Sequence, residues 1–168
     1  VEIGNTEDDL GRVAECDWVV EVVLERLDIK QQLFTKLAAV RSPGTLISSN
    51  TSGIRIADML EAPGLDDDFK QNFLVTHFFN PVRYMRLLEI VAGPDTRPEI
   101  VVDVANFVDR RLGKGVVYAK DTPNFIANRI GTYGMASVFR YMQREGLTVE
   151  QVDAIFGPAM GRPKSAVF

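Results

Sequence analysis

The chain has 168 residues with 19 basic and 23 acidic side chains, a formal net charge of −4 and 46% hydrophobic residues. This length accommodates one domain, or one domain with part of a second, and the apolar fraction excludes wholesale disorder. The acidic balance without a basic block argues against nucleic-acid binding, and no apolar run approaches the roughly 20 residues that a membrane span needs.

Hydrophobic periodicity predicts alternating helices and strands before residue 120. In chain order the pattern predicts a helix over 6–14, a strand over 17–23, a helix over 28–40, a strand over 45–49, a short helix over 54–60, strands over 72–77 and 87–91, a helix ending at Leu112, and a strand over 116–118. Capping-box pairs mark two helix starts, Asp28 with Gln31 and Thr96 with Glu99, and Pro98 lies in the first turn of the second helix. Strand–helix–strand alternation with short links is typical of a parallel α/β architecture.

The pattern changes at Asp121-Thr122-Pro123, after which no strand is predicted. Two helices follow, over 125–142 and 149–156. We therefore predict an α/β domain over 1–120 and the beginning of an α-helical domain over 121–168.

The termini and the single cysteine indicate the context of the chain. Val1 immediately precedes the first helical pattern, and residues 165–168 directly follow a Gly/Pro-rich turn. We therefore expect a piece of a longer protein. Cys16 has no partner for an internal disulfide, which favours a reducing compartment, and we expect a cytoplasmic protein.

Polar side chains follow the predicted strands at their carboxyl ends, where an open parallel sheet binds ligands. Glu25 follows the first strand, with Lys30 on the next helix. Residues 49–53 follow the second strand, and residues 77–81 follow the third. Small polar side chains and an imidazole therefore replace apolar ones at successive strand ends, and we predict a ligand site there.

His77 and Glu89 are the candidate acid/base residues. An imidazole exchanges protons near neutral pH, and His77 is the only histidine of the chain. Glu89 lies in the middle of an apolar strand, where a carboxylate without a partner would be costly. His77 is a suitable partner, because an imidazole oriented by a carboxylate is a recurrent catalytic unit. Two alternatives stay open: a structural histidine, and a Glu89 that faces solvent on an edge strand.

Other polar residues have structural explanations as well. Asn50 and Ser52 are typical turn formers. Asn124 and Asn128 share a helix face, where either is compatible with a solvated helix residue. The acidic run 66–68 is most simply a solvated loop.

Separated blocks of the sequence resemble the L-3-hydroxyacyl-CoA dehydrogenases. The blocks are Ser49-Asn50-Thr51-Ser52, Thr76-His77-Phe78-Phe79-Asn80-Pro81, Leu88-Glu89-Ile90-Val91, Lys120-Asp121-Thr122-Pro123-Asn124-Phe125-Ile126-Ala127-Asn128-Arg129 and the stretch 20–30. The resemblance implies the later part of a Rossmann-type parallel-sheet domain, followed by the first helices of an all-α substrate and dimerisation domain. The stretches 17–21 and 162–165 resemble most the long bacterial members that carry further domains.

The resemblance implies a role for each site residue. His77 matches the catalytic histidine that takes the proton from the substrate's 3-hydroxyl group as hydride leaves C3 for NAD. Glu89 matches the carboxylate that orients this histidine. Ser52 and Asn128 match residues that hydrogen-bond the acyl-CoA substrate near the reacting carbon and support catalysis there. The implied cofactor contacts are Glu25, Lys30, Asn50 and Asn80, and no metal ion is implied.

The resemblance also implies what lies outside this chain. The family's dinucleotide fingerprint, G-x-G-x-x-G, precedes these blocks, and the motif does not occur in the 168 residues. We therefore expect the N-terminal half of the NAD-binding domain to be missing, and the 168 residues alone to bind NAD poorly and turn over nothing. The family's glycine after Asp-Thr-Pro is Asn124 here, at a predicted helix start where Asn is acceptable.

The implied activity is the NAD-dependent oxidation of (S)-3-hydroxyacyl-CoA to 3-oxoacyl-CoA in fatty-acid β-oxidation. The full-length protein is then expected to be a homodimer or a part of a multidomain β-oxidation enzyme. Two alternatives stay open: a dehydrogenase of another 3-hydroxy acid, and a non-catalytic structural module of the same fold.

Overall fold

The computed structural model describes residues 1–161. The chain divides into two compact units, Val1–Phe125 and Ile126–Phe168. The first unit therefore includes residues 121–125, which follow the last strand. Within residues 1–161, no helix is long and apolar enough to cross a membrane.

A five-stranded sheet forms the framework of the first unit. Its strands are β1 (Trp18–Glu21), β2 (Leu46–Ser49), β3 (Phe73–Phe78), β4 (Leu87–Ala92) and β5 (Gly115–Ala119). They are neighbours in chain order, β1-β2-β3-β4-β5. The predicted strands are confirmed to within about two residues at each end, because β-branched and apolar runs bounded by turn residues mark them clearly.

One pairing departs from the predicted parallel sheet. The strands β1, β2 and β3 are parallel and β5 is parallel to β4, but β4 is antiparallel to β3. Only residues 79–86 connect β3 to β4, and a parallel crossover needs a dozen or more residues. The reversal places β4 between β3 and β5, which excludes the alternative of an edge-strand Glu89 that faces solvent.

Helices connect the strands of the first unit. They are α1 (Leu27–Val40), α2 (Ile56–Met59), α3 (Asp67–Gln71) and α4 (Pro98–Leu112), and a 3-10 helix, Leu10–Glu15, precedes β1. The helix predicted over 6–14 is wrong at its start, because the Asn5 side chain accepts the N–H groups of Glu7 and Asp8 and forms a turn there.

Neither predicted capping box forms, and the first fails at the start of α1. Arg26 occupies the N-cap position of α1 without a side-chain cap. The Asp28 carboxylate pairs with the Arg26 guanidinium, and the Gln31 amide donates to the Asp58 carbonyl group. Both capping candidates are therefore committed to other partners.

The predicted cap of α4 fails for a similar reason. The Thr96 hydroxyl donates to the Phe73 carbonyl at 2.6 Å and accepts the Gly93 N–H at 2.8 Å. Arg97 takes the N-cap position, while Pro98 begins the helix as predicted. Partners that are remote in sequence decide the start of this helix, and a local pattern does not contain them.

The acidic run 66–68 is not the solvated loop that we predicted. Asp66 caps α3 by accepting the Phe69 N–H at 2.7 Å. Asp66 and Asp68 also bind the guanidinium group of Arg41, whose side chain is buried, at 2.7 and 2.5 Å. The run therefore fastens α3 to the C-terminal end of α1.

The sheet is buried on both faces. One apolar cluster contains Phe34 of α1 with Phe73, and the other packs Leu74 against Val104 of α4. Phe73 and Leu74 are successive residues of β3, so they point to opposite faces. Four residues beyond Phe73, His77 belongs to the α1 face of the sheet.

The second unit is helical over its described residues. Its helices are α5 (Ala127–Glu145) and α6 (Val149–Phe156), followed by a 3-10 helix, Pro158–Met160. The bounds predicted for α6 are confirmed, and a capping box of Thr148 and Gln151 begins this helix. The family-like stretch 162–165 lies outside the described residues.

The ionisation of the Asp68 carboxylate should make part of the free energy of unfolding depend on pH. The Gly44 N–H and the Arg41 guanidinium lower the pKa of Asp68 below its ordinary value of 3.8. The stabilisation is therefore present at neutral pH and disappears as the pH falls through the lowered pKa. We expect Asp68→Asn to reduce the free energy of unfolding by about 1 kcal/mol at neutral pH, since the group is partly exposed.

Urea denaturation of the full-length protein and the Asp68→Asn variant, measured at several pH values, checks this expectation. The difference between the two proteins should shrink on acidification. A difference that is constant with pH would contradict the assignment.

Candidate functional site

His77 and Glu89 form a buried pair in the middle of the sheet. They lie directly opposite one another in β3 and β4, and His77 Nδ1 is 2.8 Å from Glu89 Oε2. Their exposed fractions are 3% and 1%. A carboxylate so far from solvent requires a polar partner, and the imidazole is one. The antiparallel register of β3 and β4 is what brings the two side chains together.

The carboxylate determines which imidazole nitrogen carries the proton. Because a carboxylate accepts hydrogen bonds, we assign the proton to Nδ1 of His77, which leaves the lone pair on Nε2. Among residues 1–161, the hydrogen bond given for the imidazole is the one between Nδ1 and Glu89. The rings of Phe79 and Phe125 lie 4.4 and 5.6 Å from the imidazole and restrict its orientation. An imidazole oriented in this way is chemically suited to act as a general base.

Asn50 links the carboxyl ends of three parallel strands. It directly follows β2, and its backbone N–H donates to the carbonyl of Glu21, the last residue of β1, at 2.8 Å. Its side-chain Oδ1 accepts the N–H of Phe78, the neighbour of His77, at 2.8 Å. Because Oδ1 is engaged in this way, the side-chain amide nitrogen of Asn50 is the atom left for the cofactor contact that the resemblance implies.

Glu25 holds the loop that carries Ser52. Its Oε1 accepts the Thr51 hydroxyl at 2.5 Å and the Ser52 N–H at 2.8 Å, and its Oε2 lies 3.2 Å from Lys30 Nζ. Partial burial opposes ionisation of Glu25, but the hydrogen bonds and the Lys30 charge outweigh it and lower the pKa of Glu25. The Glu25 side chain is 45% exposed, so an ionised acceptor faces solvent beside the exposed Ser52.

Lys30 lies beneath this surface. It is 1% exposed, and its Nζ contacts Glu21 Oε1 at 2.8 Å and Glu21 Oε2 at 3.0 Å in addition to Glu25. The structure thus places Lys30 behind Glu25, and a direct contact with a cofactor stays a prediction. Sequence reasoning missed Glu21, although a carboxylate in an apolar strand is the same signal that singled out Glu89.

The remaining predicted site residues, Asn80 and Asn128, lie apart in the chain. Asn80 follows β3, is exposed, and precedes Pro81 through a cis peptide bond. Asn128 lies in the first turn of α5, within the second unit. The cofactor role of Asn80 and the substrate role of Asn128 stay predictions.

Asn124 does not begin a helix. Its φ is 63° and that of Phe125 is 43°, and α5 starts only at Ala127, so the helix start predicted at residue 125 is wrong. A left-handed backbone favours glycine, and asparagine tolerates it better than most other residues. This explains how Asn replaces the family's glycine. Gly53 packs closely here, since a Cβ at Gly53 would lie 2.9 Å from Asn124 Oδ1.

Residues 121–125 are also tied to the loop after β2. The Asp121 carboxylate accepts the N–H groups of Ile56 and Ala57 at 2.9 and 3.3 Å, at the start of α2. Phe125 is buried in the apolar cluster on the α1 face. Both contacts place this segment beside the loop that carries Ser52.

The described residues fit part of a dinucleotide site. An ionised, half-exposed carboxylate such as Glu25 is suited to accept hydrogen bonds from ribose hydroxyl groups, and it lies at the carboxyl edge of parallel strands. Over residues 1–161, no group of three or more His, Cys, Asp or Glu side chains is arranged to hold a metal ion.

Comparison with known proteins identifies the family. A model of the family described as "3-hydroxyacyl-CoA dehydrogenase, NAD binding domain" matches residues 1–122. The chain belongs to the 3-hydroxyacyl-CoA dehydrogenase family. Its sheet and helices are accordingly those of a Rossmann-type α/β domain, with the mixed pairing described above.

Three relatives of this dehydrogenase family illustrate the likeness. A Bacillus subtilis protein named "Probable 3-hydroxyacyl-CoA dehydrogenase" is 52% identical over 98% of the chain and 21% of its own length. A Deinococcus radiodurans protein of the same name is 45% identical, and the match covers 100% of the chain and 48% of that protein. The solved structure of 3-hydroxybutyryl-CoA dehydrogenase from Escherichia coli is 34% identical in sequence, with a TM-score of 0.74. The match covers 82% of the chain and 28% of that protein. The chain thus spans about half or less of the length of each.

The positive φ of Asn124 predicts the effect of substitutions there. An alanine pays the steric cost of the left-handed conformation, so Asn124→Ala should lower the free energy of unfolding by about 1 kcal/mol. Asn124→Gly removes that cost but gains freedom in the unfolded chain, so it should change stability by less than about 0.5 kcal/mol. Thermal or urea unfolding of the two variants checks the order, and an alanine variant as stable as the glycine variant would contradict the assignment.

Proposed function

We propose that the full-length protein oxidises (S)-3-hydroxyacyl-CoA to 3-oxoacyl-CoA with NAD, as a step of fatty-acid β-oxidation. The observation that carries this proposal is the buried His77–Glu89 pair, in which the carboxylate engages Nδ1 at 2.8 Å. Membership of the dehydrogenase family and the names of its relatives favour a CoA thioester over another 3-hydroxy acid.

In this mechanism His77 acts as the general base. Nε2 accepts the proton of the substrate's 3-hydroxyl group, and the imidazolium that forms is stabilised by Glu89 at 2.8 Å. A bound NAD would supply the hydride acceptor for this oxidation. In the reverse direction the same imidazolium returns the proton to the carbonyl oxygen.

The other polar residues bind and orient. Ser52 is proposed to donate a hydrogen bond to the substrate oxygen on which charge changes during the reaction. Asn128 keeps its own proposed role as a substrate contact. Glu25 would accept hydrogen bonds from the ribose beside the nicotinamide, and Asn80 and the side-chain amide of Asn50 are further proposed contacts of the cofactor. Lys30 serves the cofactor site indirectly, because its buried ammonium group holds the Glu25 carboxylate at 3.2 Å. We assign residues 1–120 to the later part of the NAD-binding domain and residues 121–168 to the beginning of the substrate and dimerisation domain.

The proposal extends to the partners of the whole protein. The Bacillus subtilis relative is about five times as long as the matched segment, which favours a multidomain β-oxidation enzyme, and a homodimer is the other arrangement that we propose. The free, exposed thiol of Cys16 is consistent with the cytoplasmic location that we propose.

Substitutions of the pair test the mechanism in the full-length enzyme. We expect His77→Ala to lower kcat by about a thousandfold, because the base is lost, and Glu89→Gln by about a hundredfold, because the imidazolium loses its counter-charge. The KM for the CoA ester should change by less than about threefold, since neither side chain supplies binding energy to the ground state.

Asp58→Asn is a suitable control, because it breaks a more exposed ion pair with Arg55 outside the proposed site. This variant should retain the kinetics of the parent enzyme. Normal hydride transfer by His77→Ala in a single-turnover experiment would exclude His77 as the base. Faster turnover of free 3-hydroxy acids than of CoA esters would exclude the proposed substrate class.

A further inference from the structure

The ammonium group of Lys30 is saturated by carboxylates. It is 1% exposed, and an ammonium group has three N–H donors. Its three neighbouring acceptors are both oxygens of Glu21, at 2.8 and 3.0 Å, and Oε2 of Glu25 at 3.2 Å. A ligand would therefore have to displace Glu21 or Glu25 in order to contact this nitrogen.

Both carboxylate oxygens of Glu21 are also engaged in hydrogen bonds. Its Oε1 accepts the Val23 N–H at 2.6 Å, and its Oε2 accepts the Ser49 hydroxyl at 2.5 Å, in addition to the Lys30 contacts. It is 2% exposed, so no solvent shares its charge. Val23 lies just beyond the end of β1 and Ser49 ends β2, so one buried carboxylate joins two strand ends to the first turn of α1.

Glu25 is the exposed end of this cluster. Lys30 holds one of its oxygens, and the other oxygen holds the Thr51 hydroxyl and the Ser52 N–H. Thr51 Oγ1 in turn accepts the Ile54 N–H at 3.0 Å. The loop that carries Ser52 is therefore fixed by a chain of contacts that begins at the buried charge of Glu21.

We propose that Glu21 is a positioning residue of the site, which acts through Lys30 to hold Glu25 and, through Glu25, the loop that carries Ser52. This inference rests on the proposed function, in which Glu25 faces the cofactor and Ser52 the substrate. It assigns Lys30 the part of an internal counter-ion and gives a role to a residue outside the predicted set.

The energetic basis is the asymmetry of buried ion pairs. Removing one partner leaves an uncompensated charge, whereas removing both restores neutrality at a smaller cost. In Glu21→Gln the stranded Lys30 ammonium has Glu25 as its remaining carboxylate partner. Glu25 is then drawn toward the ammonium and away from Thr51 and Ser52.

Four full-length variants test the proposal: Glu21→Gln, Lys30→Met, the double variant, and Asp68→Asn. We expect Glu21→Gln to weaken NADH binding and lower kcat/KM by about tenfold or more, measured below its unfolding temperature. The double variant should be less impaired than the product of the two single effects. Asp68→Asn is the matched control, because it breaks an ion pair of the buried Arg41 side chain after the opposite end of α1. It should lose stability and keep its kinetics.

Hydrogen exchange of the backbone amides provides a second readout that does not depend on turnover. In Glu21→Gln the Ser52 amide should exchange at least about tenfold faster than in the parent, while the amides at the centre of α1 keep their protection. Unchanged cofactor affinity, kinetics and Ser52 exchange in a folded Glu21→Gln protein would overturn the positioning role. A parent enzyme that fails to reduce NAD would instead refute the proposed function, and the exchange result would still decide the role of Glu21.

Discussion

The pairing of Glu89 with His77 across β3 and β4 is the interaction on which the rest of the site depends. A carboxylate in the interior of a sheet is tolerated only with a strong partner, and here the partner lies directly opposite in the register. The connection between β3 and β4 is too short for a parallel crossover, so the chain reverses and sets this register. The same contact that satisfies the buried carboxylate also directs the imidazole proton to Nδ1 and leaves Nε2 as the atom that we propose to be the base.

A second cluster of polar side chains lies at the neighbouring strand ends of the sheet. Glu21, Lys30 and Glu25 join the ends of β1 and β2 to α1 and to the Ser52 loop. Asn50 connects this cluster to the strand that carries His77, because its N–H donates to the Glu21 carbonyl and its Oδ1 accepts the Phe78 N–H. The His77–Glu89 pair and the Glu21–Lys30–Glu25 cluster are thus linked through backbone hydrogen bonds of one framework, in which a low dielectric makes each unpaired group costly.

The sequence predicts much of this molecule, because strands and long helices follow from periodicity alone. His77 and Glu89 could be singled out because a polar residue among apolar ones is conspicuous. The antiparallel direction of β4 follows from the short connection 79–86, a signal that the prediction of a parallel sheet overlooked. The helix caps were not predictable from local pattern, since the Thr96 hydroxyl bonds the Phe73 carbonyl and the Gln31 amide bonds the Asp58 carbonyl instead of capping a helix. The backbone reversal at Asn124 and the cluster around Glu21 likewise depend on contacts between segments that only the folded chain brings together.

The tautomer of His77 is the most direct test of the central claim. A long-range proton–nitrogen correlation spectrum of the full-length protein with 15N-labelled histidine reports it, and the His77→Ala spectrum assigns the signals. We predict a neutral imidazole protonated at Nδ1, with Nε2 unprotonated. A neutral imidazole that carries its proton on Nε2 would contradict the account, because that nitrogen could then accept no proton from the substrate.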